Sequence, residues 1–166
     1  MSLYVRKGTA ADVPAVAALW RSLVGTEGCT WDEEYPGQEE AAGDAESGEL
    51  YVLCREEGGE EEIIGAMAAG EEDELWDYDF WSMDIKRHCG CSRLGIAAAY
   101  QGQGLAGFLF SEVEKDVVLR GYDGIGFLVS PANPKALSVY HKMNYVKVGE
   151  CWRYDQDWYC YEKKLI

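Results

Sequence analysis

The sequence predicts a single α/β domain, and three observations carry that prediction. Short apolar runs with strand character alternate with segments whose apolar residues recur at helical spacing. The 166 residues, 48% of them apolar, are enough to fill one core. No internal repeat or linker-like stretch marks a second unit, so one domain is expected over residues 3–165.

Leu3–Arg6 reads as the first strand. Thr9-Ala10-Ala11-Asp12 has the pattern of a capping box, and Val13, Val16, Ala17 and Trp20 follow at helical spacing. Residues 25–37 form a loop rich in acids and aromatics, and a polar, weak helix is expected near Gln38–Glu46. Leu50–Arg55 and Ile63–Ala69 are paired strands joined by the turn Glu56-Glu57-Gly58-Gly59-Glu60. An acidic segment, 71–84, precedes a fourth strand within Ile85–Ala98. Leu105, Leu109, Val113 and Val117 mark an amphipathic helix whose stripe is core packing. Ile125–Val129 is a short buried strand. Ser130-Pro131-Ala132-Asn133-Pro134 breaks it and opens a further helix with Pro134 in its first turn. Tyr145–Cys151 and Asp157–Lys163 close the chain as two strands.

Charge is distributed unevenly. Residues 27–84 contain 21 of the 30 acids and one base, Arg55, for a net charge of −20; the remainder carries +5. Such a field attracts cations and repels nucleic acid, so no nucleic-acid partner is expected, although solubility alone would also explain it. The opening Met1-Ser2-Leu3 lacks a leader pattern and no apolar run reaches 18 residues. Both predict a soluble cytoplasmic protein with no membrane partner. The six cysteines (Cys29, Cys54, Cys89, Cys91, Cys151, Cys160) then read as free thiols.

The loop Gln101-Gly102-Gln103-Gly104-Leu105-Ala106 is the most informative local feature. A side-chain-poor loop opening a helix leaves backbone N–H groups free at the positive end of the helix dipole, which suits a phosphate. Gly102-x-Gly104-x-x-Gly107 also fits a dinucleotide fingerprint. That fingerprint needs an acid at the end of the next strand, whereas Asp123 stands before it, and too little chain follows for a full doubly wound domain.

Gln101, Gly104 and Ala106, followed about 27 residues later by Asn133, Ala136 and Tyr140, resemble the two motifs of the GNAT superfamily of acetyl-CoA-dependent N-acyltransferases, and the likeness spans about residues 3–165. It implies a mixed, mostly antiparallel central sheet of six to seven strands flanked by about four helices. The cofactor is then acetyl-CoA, held by Gln101, Gly102, Gln103, Gly104, Leu105, Ala106, Asn133 and Ala136. In the family a backbone N–H of the fourth strand takes the thioester carbonyl, which falls near Ile96 and Ala97 here. Tyr140 is the expected proton donor to the departing thiolate, since a phenol near 10 is protonated at neutral pH and can hydrogen-bond to the sulfur and reprotonate it.

A primary amine is mostly ammonium at neutral pH and must lose a proton before it attacks. Relatives often place a Glu or His on the fourth strand four to six residues before the Ile96 position, where this chain has Ser92 and Gly90. His88, two residues further upstream, is the expected base, with Glu72 and Asp84 as looser candidates; a water relay, or an acceptor that binds neutral, is also open. His88-Cys89-Gly90-Cys91 invites a metal reading, but two paired ligand clusters are missing and no metal is expected. No cysteine has an obvious activating neighbour, which disfavours an acyl-enzyme.

For the acceptor, Trp31, Glu33, Glu34 and Tyr35 combine carboxylates with aromatic faces, as a cationic amine requires. Asp73-Glu74-Leu75-Trp76-Asp77-Tyr78-Asp79-Phe80-Trp81 repeats the theme, or else packs its aromatics on the sheet with acids outward. The expected function is acetyl transfer from acetyl-CoA to a small cationic amine. The alternatives are a peptide or protein amine as acceptor, and a non-catalytic acyl-CoA-binding sensor. A homodimer is conceivable through the aromatic segment or the last strands.

Overall fold

In the computed structural model, which describes residues 1–72 and 74–166, seven strands form one sheet in the order β1-β2-β3-β4-β5-β7-β6. β1 (Ser2–Lys7), β2 (Leu50–Glu57), β3 (Glu60–Gly70) and β4 (His88–Ile96) pair antiparallel in chain order. β5 (Gly124–Val129) lies parallel to β4, while β7 (Gln156–Lys164) separates it from the edge strand β6 (Val146–Arg153). The helices are α1 (Val13–Ser22), α2 (Gln38–Glu46), α3 (Leu105–Leu119) and α4 (Pro134–Lys142). The expected mostly antiparallel sheet with four helices is thus found. No helix among the described residues is long and apolar enough to cross a membrane.

Local chemistry sets the element ends. The Asp12 carboxylate accepts from the Thr9 N–H at 2.8 Å and from the Thr9 hydroxyl at 3.2 Å, fixing the turn that leads into α1. Gly58 and Gly59 both have positive φ, as a two-residue turn matched to strand twist requires. Pro134 opens α4, where its missing N–H costs nothing.

Two cores sandwich the sheet. On the front face, Val13, Val16, Leu19 and Trp20 of α1 and Ala41 of α2 pack on Leu50, Val52 and Ala66. On the back face, Leu105, Leu109, Phe110, Val113 and Val117 of α3, with Tyr140 of α4, pack on Met67, Cys89, Ile125 and Phe127. A third cluster caps the front of β5 and β7: Leu75 and Trp81 cover Cys160, with Trp76 and Phe80 beside them. The acid–aromatic segment therefore turns its aromatics onto the sheet, while Glu74, Asp77 and Asp79 are exposed. Asp73 lies outside the described residues.

Two features of β4 create a cleft. β4 pairs with β5 only at His88, Cys89 and Gly90; beyond Gly90 the strands part, and Cys91 through Leu94 keep a small accessible surface in mid-sheet. Opposite β3, one extra residue enters β4 between the pairs Ala68↔Ser92 and Ala66↔Gly95. Arg93 stands in this bulge at φ +56°, the left-handed region. The bulge resets the alternation of faces. Arg93 turns to the front, toward α2; Leu94 packs on the back core; Gly95 returns to the front beneath Trp20, Leu23 and Trp31.

Candidate active site

The cleft has its open end at the loop between β4 and α3. Gly102 and Gly104 adopt φ of +79° and +76°, and a β-carbon on either would meet only open space. Within the first turn of α3 the earliest backbone bond runs from Phe108 N–H to the Gly104 carbonyl. The N–H groups of Gln103 through Gly107 find no acceptor among the described residues, so an array of donors faces outward at the positive end of a 15-residue helix. Gln101 braces this loop, its Nε2 donating to the Ile96 carbonyl at 2.9 Å. The Leu105 side chain is buried in the back core and Ala106 is half-buried, so both offer backbone rather than side chain to a ligand.

Ile96 and Ala97 have different roles. Ala97 donates to the Ile64 carbonyl at 2.8 Å and is spent on β3. Antiparallel pairs alternate, so the adjoining pair Gly65↔Ile96 directs the Ile96 N–H and carbonyl away from β3, to the side that β5 has left. Ile96, not Ala97, presents an N–H to the cleft.

Tyr140 reaches the cleft from the back. Its ring packs on Phe127 at 4.5 Å and Phe110 at 5.6 Å between centroids, leaving the residue 7% exposed. Burial pushes its phenol above the ordinary value, and the nearby Cys91 adds to the rise. No group among the described residues hydrogen-bonds its hydroxyl, which is nonetheless not sealed from solvent. Burial, then the neighbouring Cys89, also holds the Cys91 thiol well above its usual range, so Cys91 stays protonated and is a poor nucleophile. Asn133 caps α4: its Oδ1 accepts from the Ala136 N–H at 3.2 Å, leaving the side-chain NH2 for a ligand. The loop glycine Gly28 packs against this side chain, a β-carbon there falling 3.0 Å from Oδ1.

His88 is not brought to these residues. It opens β4 eight residues before Ile96, about 25 Å away at the usual strand rise. Its ring stacks on Trp76 at 4.7 Å, leans on Trp81 at 5.5 Å and meets Glu162 Oε1 at 3.3 Å. With 8% of its side chain exposed, it is a structural histidine in an aromatic box. Cys89 packs in the back core, so the His88–Cys91 segment does not converge on one point.

A carboxylate does lie over the front of β4, delivered from the segment that follows β3. Gly70, Gly90 and Gly126 are paired side by side across β3, β4 and β5, so the front of the sheet is bare along one line. Glu49 fills the space over Gly70, the Glu72 side chain that over Gly90, and Trp76 and Trp81 that over Gly126. Burial, then Asp44, raises the Glu49 carboxyl above its usual range. Lone glycines inside strands often signal such close approach, and Gly70 and Gly90 were the available sequence sign.

The front wall comes from the first loop. Trp31 meets Trp20 edge-to-face at 6.4 Å and lies over Gly95, directly before Ile96. The Asp32 carboxylate accepts from the N–H groups of Glu34 and Tyr35, both at 2.8 Å, shaping the turn. Glu33 and Glu34 are exposed, and the Tyr35 hydroxyl accepts from Arg93 Nη1 at 3.2 Å. Arg93 also forms a two-point pair with Asp44, at 2.9 and 2.6 Å. Neither Arg93 nor Asp44 carries a pattern that sequence reasoning detects.

Comparison with known proteins identifies the family and the fold. The family model described as Acetyltransferase (GNAT) family matches residues 16–145. An acetyltransferase of Sodalis glossinidius is 36% identical over 52 residues, a match spanning 31% of this chain and 37% of that relative's length. Among solved structures, a phosphinothricin acetyltransferase from Sinorhizobium meliloti in complex with acetyl-CoA superposes with a TM-score of 0.75 at 19% identity, covering 99% of this chain and 89% of that one. The ribosomal-protein-S18-alanine N-acetyltransferase of Escherichia coli gives 0.72 at 14% identity, covering 99% and 94%. At these identities the two structures share the fold.

Proposed function

The chain belongs to the acetyltransferase (GNAT) family, whose cofactor is acetyl-CoA, and from that premise we propose that it transfers the acetyl group to a primary amine, a small cationic one, by direct attack. One observation supports this reading: the donor array of Gln103–Gly107 opens α3 just beyond the end of β4 that parts from β5, and Tyr140 belongs to the back core against which Cys91, at the point of parting, packs. The loop would hold the pyrophosphate, and the edge of β4 that β5 leaves unpaired would hold the arm of the cofactor. The Ile96 N–H then meets the thioester oxygen as negative charge develops on it.

The neutral amine nitrogen attacks the carbonyl carbon, the C–S bond breaks, and the sulfur leaves as a thiolate. Tyr140 stays protonated across the working range, and it donates its hydroxyl proton to that sulfur. Glu72, over Gly90 and nearer Ile96 than His88 is, is the carboxylate this reading uses as proton acceptor for the amine, through a relay of water along the front of β4. The one proton the amine loses on acylation passes to that carboxylate, which releases it to solvent, and solvent reprotonates the phenol. Trp31 and Tyr35 supply aromatic faces, and Glu33 and Glu34 supply negative charge at the entrance.

The test is calorimetric titration of acetyl-CoA and free CoA, followed by turnover on panels of polyamines and peptides. Micromolar binding with acetylation of small amines is the expected result. Acetylation of peptides alone replaces the acceptor class, and failure to bind either ligand removes the reading.

A further inference from the structure

Arg93 and Asp44 tie the shape of β4 to the helix above it. Arg93 is an L-residue in the left-handed region, where its β-carbon crowds the following carbonyl, and neither its position nor its neighbours excuse it with a glycine. Its guanidinium is held at two points by Asp44 of α2 and at a third by the Tyr35 hydroxyl. Both ion-pair side chains are largely enclosed, 19% and 9% exposed. Asp44 is otherwise an oddity, a buried acid on a short polar helix that contributes little apolar area.

We infer that Asp44 is a positioning residue for acetyl transfer: by pinning Arg93 on the front face it maintains the β4 bulge that aims the Ile96 N–H into the cleft. The inference rests on the acetyl-transfer reading above and extends it to a residue that touches neither substrate.

The physical link is register. A side chain that relaxed at Arg93 into ordinary extended backbone would remove the extra residue from the pairing with β3. Each later residue of β4 would then change face or slide by one position. Because inward and outward N–H groups alternate, a slip by one turns the Ile96 N–H toward β3 and away from the thioester. The phosphate loop is not governed by this pair. Its donors belong to the start of α3, which the back core holds. Loss of Asp44 therefore affects recognition of the acetyl carbonyl more than recognition of the CoA body.

The experiment compares the affinities of acetyl-CoA and CoA by calorimetry, alongside kcat, in the wild type, Asp44→Asn and Asp44→Asn/Arg93→Gly. The wild type is expected to favour acetyl-CoA by about fivefold, the worth of one backbone hydrogen bond to the carbonyl. Asp44→Asn is expected to bring that ratio to about one and to lower kcat by roughly tenfold or more, with CoA affinity unchanged. Glycine at position 93 adopts positive φ without crowding and removes the stranded charge, so the double variant is expected to recover both the ratio and kcat. If Asp44→Asn does not fold, Arg93→Lys, which loses the two-point geometry, takes its place with the same expectation. Discrimination that survives loss of the pair, or a double variant that recovers only thermal stability, overturns the role of Asp44. A wild type that does not discriminate the two ligands overturns the acetyl-transfer geometry itself, and the role of Asp44 with it.

Discussion

Glu72 lays its side chain across Gly90, its Cγ standing 2.1 Å from where a β-carbon on that glycine would be. A connecting segment thereby delivers a carboxylate to the front of β4, just where that strand parts from β5.

Glu72→Gln preserves this packing and removes the proton acceptor. It is expected to lower kcat by about a hundredfold, with the affinity for CoA unchanged. Gly90→Ala should do the same by displacement, because the new methyl group and the Glu72 side chain claim one space. Steady-state kinetics of both variants checks the assignment, and wild-type turnover in Glu72→Gln rejects it.

Tyr140→Phe deletes a hydroxyl that has no hydrogen-bond partner among the described residues, so the fold should keep its melting temperature. Turnover should fall by roughly a hundredfold while CoA still binds. The phenol's raised folded value also has a stability consequence. Its contribution is complete below the unfolded value near 10 and is lost as pH rises further, so an alkaline melt of the wild type should weaken more steeply than that of Tyr140→Phe.

Asp12 carries the acid-side prediction. The Arg6 guanidinium, bonded at 2.7 and 2.9 Å, together with the Thr9 N–H, lowers its carboxyl to about 2. A depressed carboxyl stabilises the fold above its unfolded value near 3.8 and loses that contribution as pH falls toward 2. With Asp12 largely buried, the term is on the order of 2 kcal/mol. Asp12→Asn should lower the melting temperature by about 4–8 °C at neutral pH and leave a shallower decline in acid, measurable by circular dichroism.

Gly104→Glu probes the phosphate loop. Any side chain there must accept φ of +76°, at about 1–2 kcal/mol, and an added carboxylate repels a pyrophosphate. CoA affinity should fall at least tenfold, by about 1.4 kcal/mol or more, while the protein remains folded. Gly104→Ala, strained but uncharged, should lie between this variant and the wild type in the same calorimetric titration.

The elements the sequence reveals best are those set by local chemistry. The Thr9–Asp12 contact, the Gly58-Gly59 turn, the α3 stripe from Leu105 to Val117 and the entry of Pro134 into α4 each follow from neighbours in the chain. The Gln101–Ala106 loop is legible for the same reason. His88 was misplaced because face alternation along β4 says nothing of which end of the strand the cleft occupies; that depends on where β5 departs, a non-local fact. The aromatics of residues 75–81 face the sheet because glycines on β5 and β6 make room for them, and no periodicity within the segment reports its partners. Arg93 and Asp44, 49 residues apart, are joined by a bulge that has no glycine to announce it.

The bare line through Gly70, Gly90 and Gly126 separates inheritance from invention. Along that line the strands contribute no side chain to the front surface and constrain nothing placed above it, so the surface there is furnished by Glu49, Glu72 and the tryptophans of the connecting segment. Sequence can drift in that connection, or be exchanged wholesale, without disturbing a hydrogen bond of the sheet or the phosphate loop at its far end. The scaffold is in this sense a socket, and the segment above it a plug.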